Sequence, residues 1–394
     1  MKELSANKEL NYLRGLFFLF GFSIMSWIPR FPEVKAALSL TNGQFGSLIS
    51  TGALGSFAAL MTVGHIVHKF GVKVVLQLAS LFLALCLIIL VSTHSSAIFF
   101  FANIVFGVAI SAFHISINAQ AFNLQDRLGR LIITQLSGFW SAGALITAVF
   151  AGFLVDRVPL HLHISILAIL VLFIMVILIY LLDSSLITAN EDPDIEYRLK
   201  DLLRGFNFDT PISIGLICAI FLEFAVGDWA TIYTKEEVGI SGGLNTLPYI
   251  LFILFMILGR LTVHYLIPRF RIESLVKIAS VIAGTSFLGS IAIARFLGDS
   301  HQGLALIIIS IGFTLAGLGS SFLGPTFMNA ANIRSKHPAS VVIGHIGVAN
   351  IVLAFVLKWI VAWTAQVISL TIALLIPALM LLAVPFFAKA VKRV

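Results

Sequence analysis

Scanned in windows of about nineteen residues, the chain is a succession of twelve apolar stretches divided by short polar connections. The stretches fall at roughly 11–29, 43–67, 73–92, 97–122, 131–155, 161–182, 211–234, 245–268, 272–296, 303–328, 339–362 and 366–388. About twenty apolar residues in a helix, rising 1.5 Å each, cross the hydrocarbon layer of a bilayer. The pattern therefore predicts an all-α membrane protein of twelve transmembrane helices, with almost nothing left over to fold in water.

Composition agrees. Of the 394 residues 59% are hydrophobic and 11% charged, and the mean hydropathy is +1.05. Soluble domains carry about 25% charged residues, so a water-soluble fold is excluded. The formal charge of +7 would raise nucleic acid in a soluble protein, but here the placement of the charges accounts for it. With the amino terminus inside, only Arg30, Lys35, Arg157, Lys235, Arg295 and Lys358 of the 25 basic residues fall at outer ends. The excess on the other side puts both termini in the cytoplasm, and no nucleic-acid partner is expected. Cys86 and Cys218 sit inside predicted spans, where two isolated thiols form neither a disulfide framework nor a metal site. His161 and His163 have metal-like spacing without further ligands, so no metal and no cofactor are expected. The first apolar run follows Lys8 and Arg14 without a small-x-small cleavage site and reads as a retained span.

A single long polar segment, 183–210, separates six spans from six. It divides the chain into a first bundle (1–183), a cytoplasmic linker (184–210) and a second bundle (211–394). Part of the linker, Ile195 to Arg204, reads either as an amphipathic helix on the membrane surface or as solvated chain. The halves echo one another: Gly64 to Lys73 follows the second span, and Gly259-Arg260-Leu261 with Pro268-Arg269-Phe270-Arg271 ends the eighth. Such six-plus-six duplication marks secondary transporters, whose solute site lies near the midplane where the halves meet. Small residues (Gly52, Gly55 and Ser56; Gly312, Ala316 and Gly317) imply close helix packing in the second and tenth spans. Trp27, Trp229, Trp359 and Trp363 fit an interfacial belt, whereas Trp140 lies well inside the fifth span.

Ionisable and polar groups inside a bilayer are functional candidates by default. Glu223, flanked by Ile220, Phe221, Leu222 and Phe224, is the sharpest: a carboxylate that a proton can neutralise is what proton coupling needs. The alternative is a fixed ion pair with a cation such as Arg260. Asp228, five residues on, lies about 140° around the helix, so it faces elsewhere; beside Trp229 it could contact solute or a gate. Ser111, His114 and Asn118 form one polar stripe on the fourth span, and Thr134, Ser137 and Ser141 another on the fifth, beside Trp140. These stripes either bond neighbouring helices or line a cavity, with Trp140 stacking on a ring. A buried His114 reads as a neutral histidine more readily than as a proton relay. Asn329, Asn332, His345 and Asn350 are weaker candidates.

The segment with Gly64, His68, Lys69, Gly71 and Lys73 resembles the loop between the second and third helices of the major facilitator superfamily, with His68 where an acid is usual. Asn118-Ala119-Gln120-Ala121, Arg127, Trp140-Ser141 and Gly143 resemble the fourth-to-fifth helix region of its fucose-permease-like branch. Glu223, Asp228-Trp229 and Tyr233, with Arg30-Phe31-Pro32 and Gly259-Arg260-Leu261, are similar to the YbjJ-type inner-membrane transporters of that branch. His114 stands where an acid, and Ser137 where a histidine, is expected. The likeness covers nearly the whole chain. It implies two pseudo-symmetric six-helix bundles, a monomer, and alternating-access uptake of a small, sugar-like polar solute with protons. Glu223, Asp228, Trp229, His114, Asn118 and Trp140 would then meet solute or proton, and the loop motif with Gly259 and Arg260 would gate the cytoplasmic side. The superfamily's antiporters carry a Gly-Pro motif in the fifth helix, and Thr134 to Phe153 contains no proline, which points to uptake. The alternatives are a proton-driven exporter of the same fold and a non-transporting membrane sensor. No nucleophile–base pair or metal cluster stands out, so no enzyme is expected.

Overall fold

The structure, a computed structural model, describes residues 2–182, 209–298, 300–334 and 339–391, and their side chains except at 2–5, 332 and 339–345. The supposed linker thus lies outside the described residues save for Asp209 and Thr210. Among those described, twelve helical spans are long and apolar enough to cross a membrane: Ala6–Ala37, Asn42–Phe70, Val72–Ser92, Ser96–Leu128, Ile133–Leu154, Leu160–Leu181, Thr210–Glu236, Gly242–Leu266, Ile272–Gly298, Gln302–Ala331, Ile346–Val367 and Leu370–Val391. They are numbered first to twelfth below, and the described residues contain no strand.

Local chemistry sets the ends. The Asp209 side chain accepts from the Ile212 N–H and Pro211 follows, so the seventh span starts on a side-chain cap with proline where no amide partner exists. Ser95 and Ser369 cap the fourth and twelfth in the same way. Gly71 joins the second span to the third at φ 84°, a conformation that side chains resist, so this glycine of the loop motif is required by the turn itself. The twelfth span begins at Leu370 rather than near 366, because helix continues through Trp363 to Val367 before Ser369 caps the next.

Five spans are not single α-helices: the eighth opens and the twelfth closes on a 3-10 segment, Gly242–Thr246 and Ala388–Val391, and three are interrupted within. The first passes through a 3-10 turn at Ile28–Arg30 before Phe31–Ala37. The second is interrupted at Thr51, between Asn42–Ser50 and Gly52–Phe70. The tenth is interrupted after Ser320 and resumes at Leu323. Freed carbonyls in lipid need donors, and at the second and tenth spans a neighbouring span supplies them. Asn103 Nδ2 of the fourth span lies 2.9 and 3.0 Å from the Leu48 and Ile49 carbonyls and 3.0 Å from Thr51 Oγ1. Arg260 Nε of the eighth donates to the Ser321 carbonyl at 3.0 Å.

Contacts gather the chain into two compact units, Met1–Ser39 with Leu48–Tyr197, and Leu40–Ser47 with Arg198–Val394. In the first, the second and third spans pack on the fourth, the third also on the sixth, and the first lies along the fifth and sixth. In the other, the eighth and ninth pack on the tenth, the ninth also on the twelfth, and the seventh lies mainly along the twelfth. Within this second unit Phe45 meets Trp229 edge-on at 6.3 Å, Gly46 lies against Ala362 and Trp229, and Trp363 Nε1 donates to Ser47 Oγ at 3.2 Å.

Two expectations from counting change here. Arg30 is no loose end-of-helix cation: it is 1% exposed, paired with Glu33 at 2.6 Å, bonded to the Val158 carbonyl at 2.7 Å and 3.2 Å from His163 Nδ1. Of the supposed tryptophan belt, Trp359 and Trp363 are exposed, whereas Trp27 and Trp229 are core residues. Trp27 spends its ring on Phe31 and Phe106, both edge-on.

Candidate functional site

The second unit places the two acids of the seventh span against two different partners. Glu223 pairs with Arg260 of the eighth span at 3.2 Å, and Asp228 with Lys358 of the eleventh at 2.9 Å. The five-residue spacing accounts for this, since 140° of rotation aims the two carboxylates at separate neighbours. The pairs differ in cover. Glu223 and Arg260 keep 40% and 37% of their side-chain surface, whereas Asp228 and Lys358 keep 13% and 21%. The Lys358 ammonium also stands 5.4 Å from the centre of the Phe224 ring. Arg260 is the better connected cation, because it holds Glu223, the Ser321 carbonyl and a long contact to Met256 Sδ at once.

Lys358 is the partner that sequence reading missed. Counting by ends put it outside the membrane, yet it stands in the body of the eleventh span, 130 residues from the acid it meets. Trp229, expected to touch solute, is 1% exposed, with Phe45 and Gly46 against its ring. Its aromatic surface is given to packing.

In the first unit, the stripe on the fourth span turns away from the unit's core. His114 is exposed rather than buried, with Phe20 at 6.3 Å, and Asn118 is half-buried and donates to its own helix at the His114 carbonyl. Thr134 and Ser137 are exposed, while Trp140 and Ser141 are half-buried. The core of the unit instead buries Ser116 and Gln120 from the same helix. Gln120 Nε2 donates to Glu9 at 2.6 Å, and Glu9, 3% exposed, also pairs with Arg127. Neither Glu9 nor Asn103 was singled out from sequence. A lone amide in an apolar run was the available signal for Asn103; Glu9 lies in the polar segment before the first apolar stretch and carried none.

The loop residues separate by role. Gly71 makes the turn, and Lys73 Nζ donates to the Tyr180 carbonyl at 3.0 Å. Lys69 lies 5.4 Å from the Phe70 ring, and His68 is exposed. Gly64 borders open space, whereas a side chain at Gly259 would strike Ser321, so only the latter glycine serves a helix contact. Asn350 donates to Ile346 within its own helix. The side chains of Asn332 and His345 lie outside the described set. Among the described residues no three His, Cys, Asp or Glu side chains gather to hold a metal ion.

A membrane protein of twelve helical spans with charge pairs linking helices inside its apolar body is a transporter by architecture. The model of the Major Facilitator Superfamily matches residues 15–345, and the chain belongs to that family. It is 28% identical over 387 residues to an uncharacterized MFS-type transporter of Yersinia pestis, covering 96% of this chain and 95% of that protein. It is 24% identical to membrane protein MosC of Rhizobium meliloti, over 81% and 74% of the two chains. Among solved structures, a mutant of the nucleoside transporter NupG matches with a TM-score of 0.78 at 14% identity, over 97% of this chain and 99% of that one. A D-xylose-proton symporter matches with a TM-score of 0.67 at 15% identity, over 97% and 96%. At such identities these two structures speak for the fold alone.

Proposed function

We propose that this chain takes up a small polar, sugar-like solute across the inner (cytoplasmic) membrane by alternating access, coupled to protons. The observation that carries the reading is the Glu223–Arg260 pair, a carboxylate that is both partnered and reachable inside an apolar span. Protonation removes the charge on Glu223 and weakens its hold on Arg260, while Arg260 keeps the Ser321 carbonyl. A neutral carboxyl then changes surroundings at far lower cost than a carboxylate. Asp228, more enclosed and answered by Lys358, is the second protonation candidate. Proteins of the same fold that are named a nucleoside transporter and a D-xylose-proton symporter support the solute class and the coupling by analogy only. The chain works as a monomer with both ends in the cytoplasm, and its His114, Asn118 and Trp140 face the solute.

The test uses purified protein in liposomes under an imposed inward proton gradient, with labelled sugars, polyols and nucleosides. Wild type accumulates at least one of them, and Glu223→Gln only equilibrates it. Equal gradient-driven accumulation by the mutant removes Glu223 from coupling. Net extrusion of preloaded solute under the same gradient overturns the direction.

A further inference from the structure

Arg14 differs from the other arginines that the structure describes within spans. Arg30 meets Glu33, Arg127 meets Glu9, Arg260 meets Glu223 and Arg295 meets Glu237. Arg14 stands eight residues into the first span and has only neutral partners among the described residues. One Nη donates to Asn11 Oδ1 at 2.7 Å and the other to Gln135 Oε1 of the fifth span at 2.9 Å. The guanidinium carbon lies 5.8 Å from the centre of the Phe139 ring, and Nε is enclosed without a partner. The nearest acid in sequence, Glu9, is five residues away and so faces a different side of the helix, where Gln120 and Arg127 occupy it.

Two amides and a ring fix the guanidinium in place, and no described residue answers its charge. Arginine presents five N–H donors and cannot shed its proton, so two are engaged by the amides and the cation remains. Asn11 and Gln135 are exposed and Arg14 is half-exposed, so the braced edge is open rather than sealed in the core. A positive fork held by neutral acceptors beside an aromatic face suits a planar or tetrahedral oxyanion.

We propose that Arg14, braced by Asn11 and Gln135, binds an oxyanion group, a carboxylate or phosphate, of the transported solute. This rests on the reading of the chain as a solute carrier and narrows the solute to one bearing an acidic group. It does not depend on Glu223.

Phenylglyoxal, which attacks accessible guanidinium groups, reports on the site in the wild-type chain. Full-length protein in zwitterionic detergent is treated with the reagent alone or with D-glucuronate, L-lactate or inorganic phosphate, and with D-glucose and glycerol as neutral controls. Adducts at Arg14 and at exposed Arg271 are then measured by peptide mass spectrometry. At least one oxyanion is expected to slow modification of Arg14 several-fold while leaving Arg271 unchanged, and the neutral compounds leave both unchanged. Absence of protection by all three oxyanions, or equal protection by glucose, overturns the proposal. Repetition in nanodiscs of phosphatidylcholine or phosphatidylglycerol separates the sources of the anion. Protection by phosphatidylglycerol alone, with nothing further from soluble ions, assigns the site to a lipid headgroup and overturns the solute reading. Arg14→Lys keeps inhibition of transport by the protecting ion, and Arg14→Gln loses it. Glu223→Gln leaves protection of Arg14 intact, which keeps a failure of proton coupling distinct from a failure of this site.

Discussion

The first and seventh spans hold equivalent places in their two units, yet each is fastened by different means. Along the seam of the first and fifth spans, backbones touch: a side chain at Gly21 would overlap the Trp140 carbonyl, and one at Gly143 the Phe18 carbonyl. Between the seventh and eleventh spans the Asp228–Lys358 pair makes a connection, and the glycines Gly227 and Gly347 of these two spans have nothing within 4 Å of such an added carbon. Glycine contacts are short-ranged and indifferent to protons, which suits a joint that stays shut. An ion pair tolerates some separation and answers to charge, which suits a joint that yields. The unit with the charge-fastened seam is also the one whose eighth-span arginine is shared between an acid and a broken helix.

The largest effect should come from breaking the charged seam on one side. Asp228→Asn leaves the Lys358 ammonium half-buried and unanswered, a loss of about 3 kcal/mol by comparison with other enclosed pairs. Adding Lys358→Met should restore most of the thermal stability in detergent. If the single and double variants melt alike, charge is not what joins these helices. Next comes the glycine seam. Gly21→Val forces a methyl group into backbone and should destabilise by roughly 1–3 kcal/mol, read as a lower melting temperature. A neutral result there would mean that the first and fifth spans are not in backbone contact. Glu223→Gln should change stability by less than about 1 kcal/mol, because that pair is well exposed, while abolishing gradient-driven accumulation. The smallest effect belongs to Gly227→Ala, which meets open space and gains up to ~1 kcal/mol of helix preference. A large loss there would show that Gly227 is packed against a neighbour.

Much of the fold was legible because crossing a bilayer demands length and apolarity, both local properties of the chain. All twelve spans overlap the stretches that hydropathy marks, with ends shifted by several residues, and the periodicity of the seventh separates Glu223 from Asp228. The partners were less legible. Arg260 could be suggested for Glu223, but Lys358 looked like an end-of-helix cation, since nothing local says that residue 358 meets residue 228. Arg30 was obscured for the same reason: charge counting assigns it to an outer end, and only packing reveals it as interior. The interruption at Thr51 carries no proline to announce it, whereas Pro325 lacks the amide that would bond the Ser321 carbonyl and was an unused signal for the other; the groups that stabilise them, Asn103 and Arg260, lie 52 and 61 residues away. The surroundings of His114 were not legible, because a polar stripe fixes a helix face without saying what lies opposite.

The recruitment of Leu40–Ser47 by the second unit bears on how the polypeptide could be divided. A downstream fragment starting at Arg198 would keep Trp229, Ala362 and Gln366 while forfeiting Phe45, Gly46 and the Gly43 amide that pack or bond against them. Severance at the midpoint would therefore leave that piece with a bare tryptophan, and supplying residues 40–47 on a separate peptide should improve its recovery.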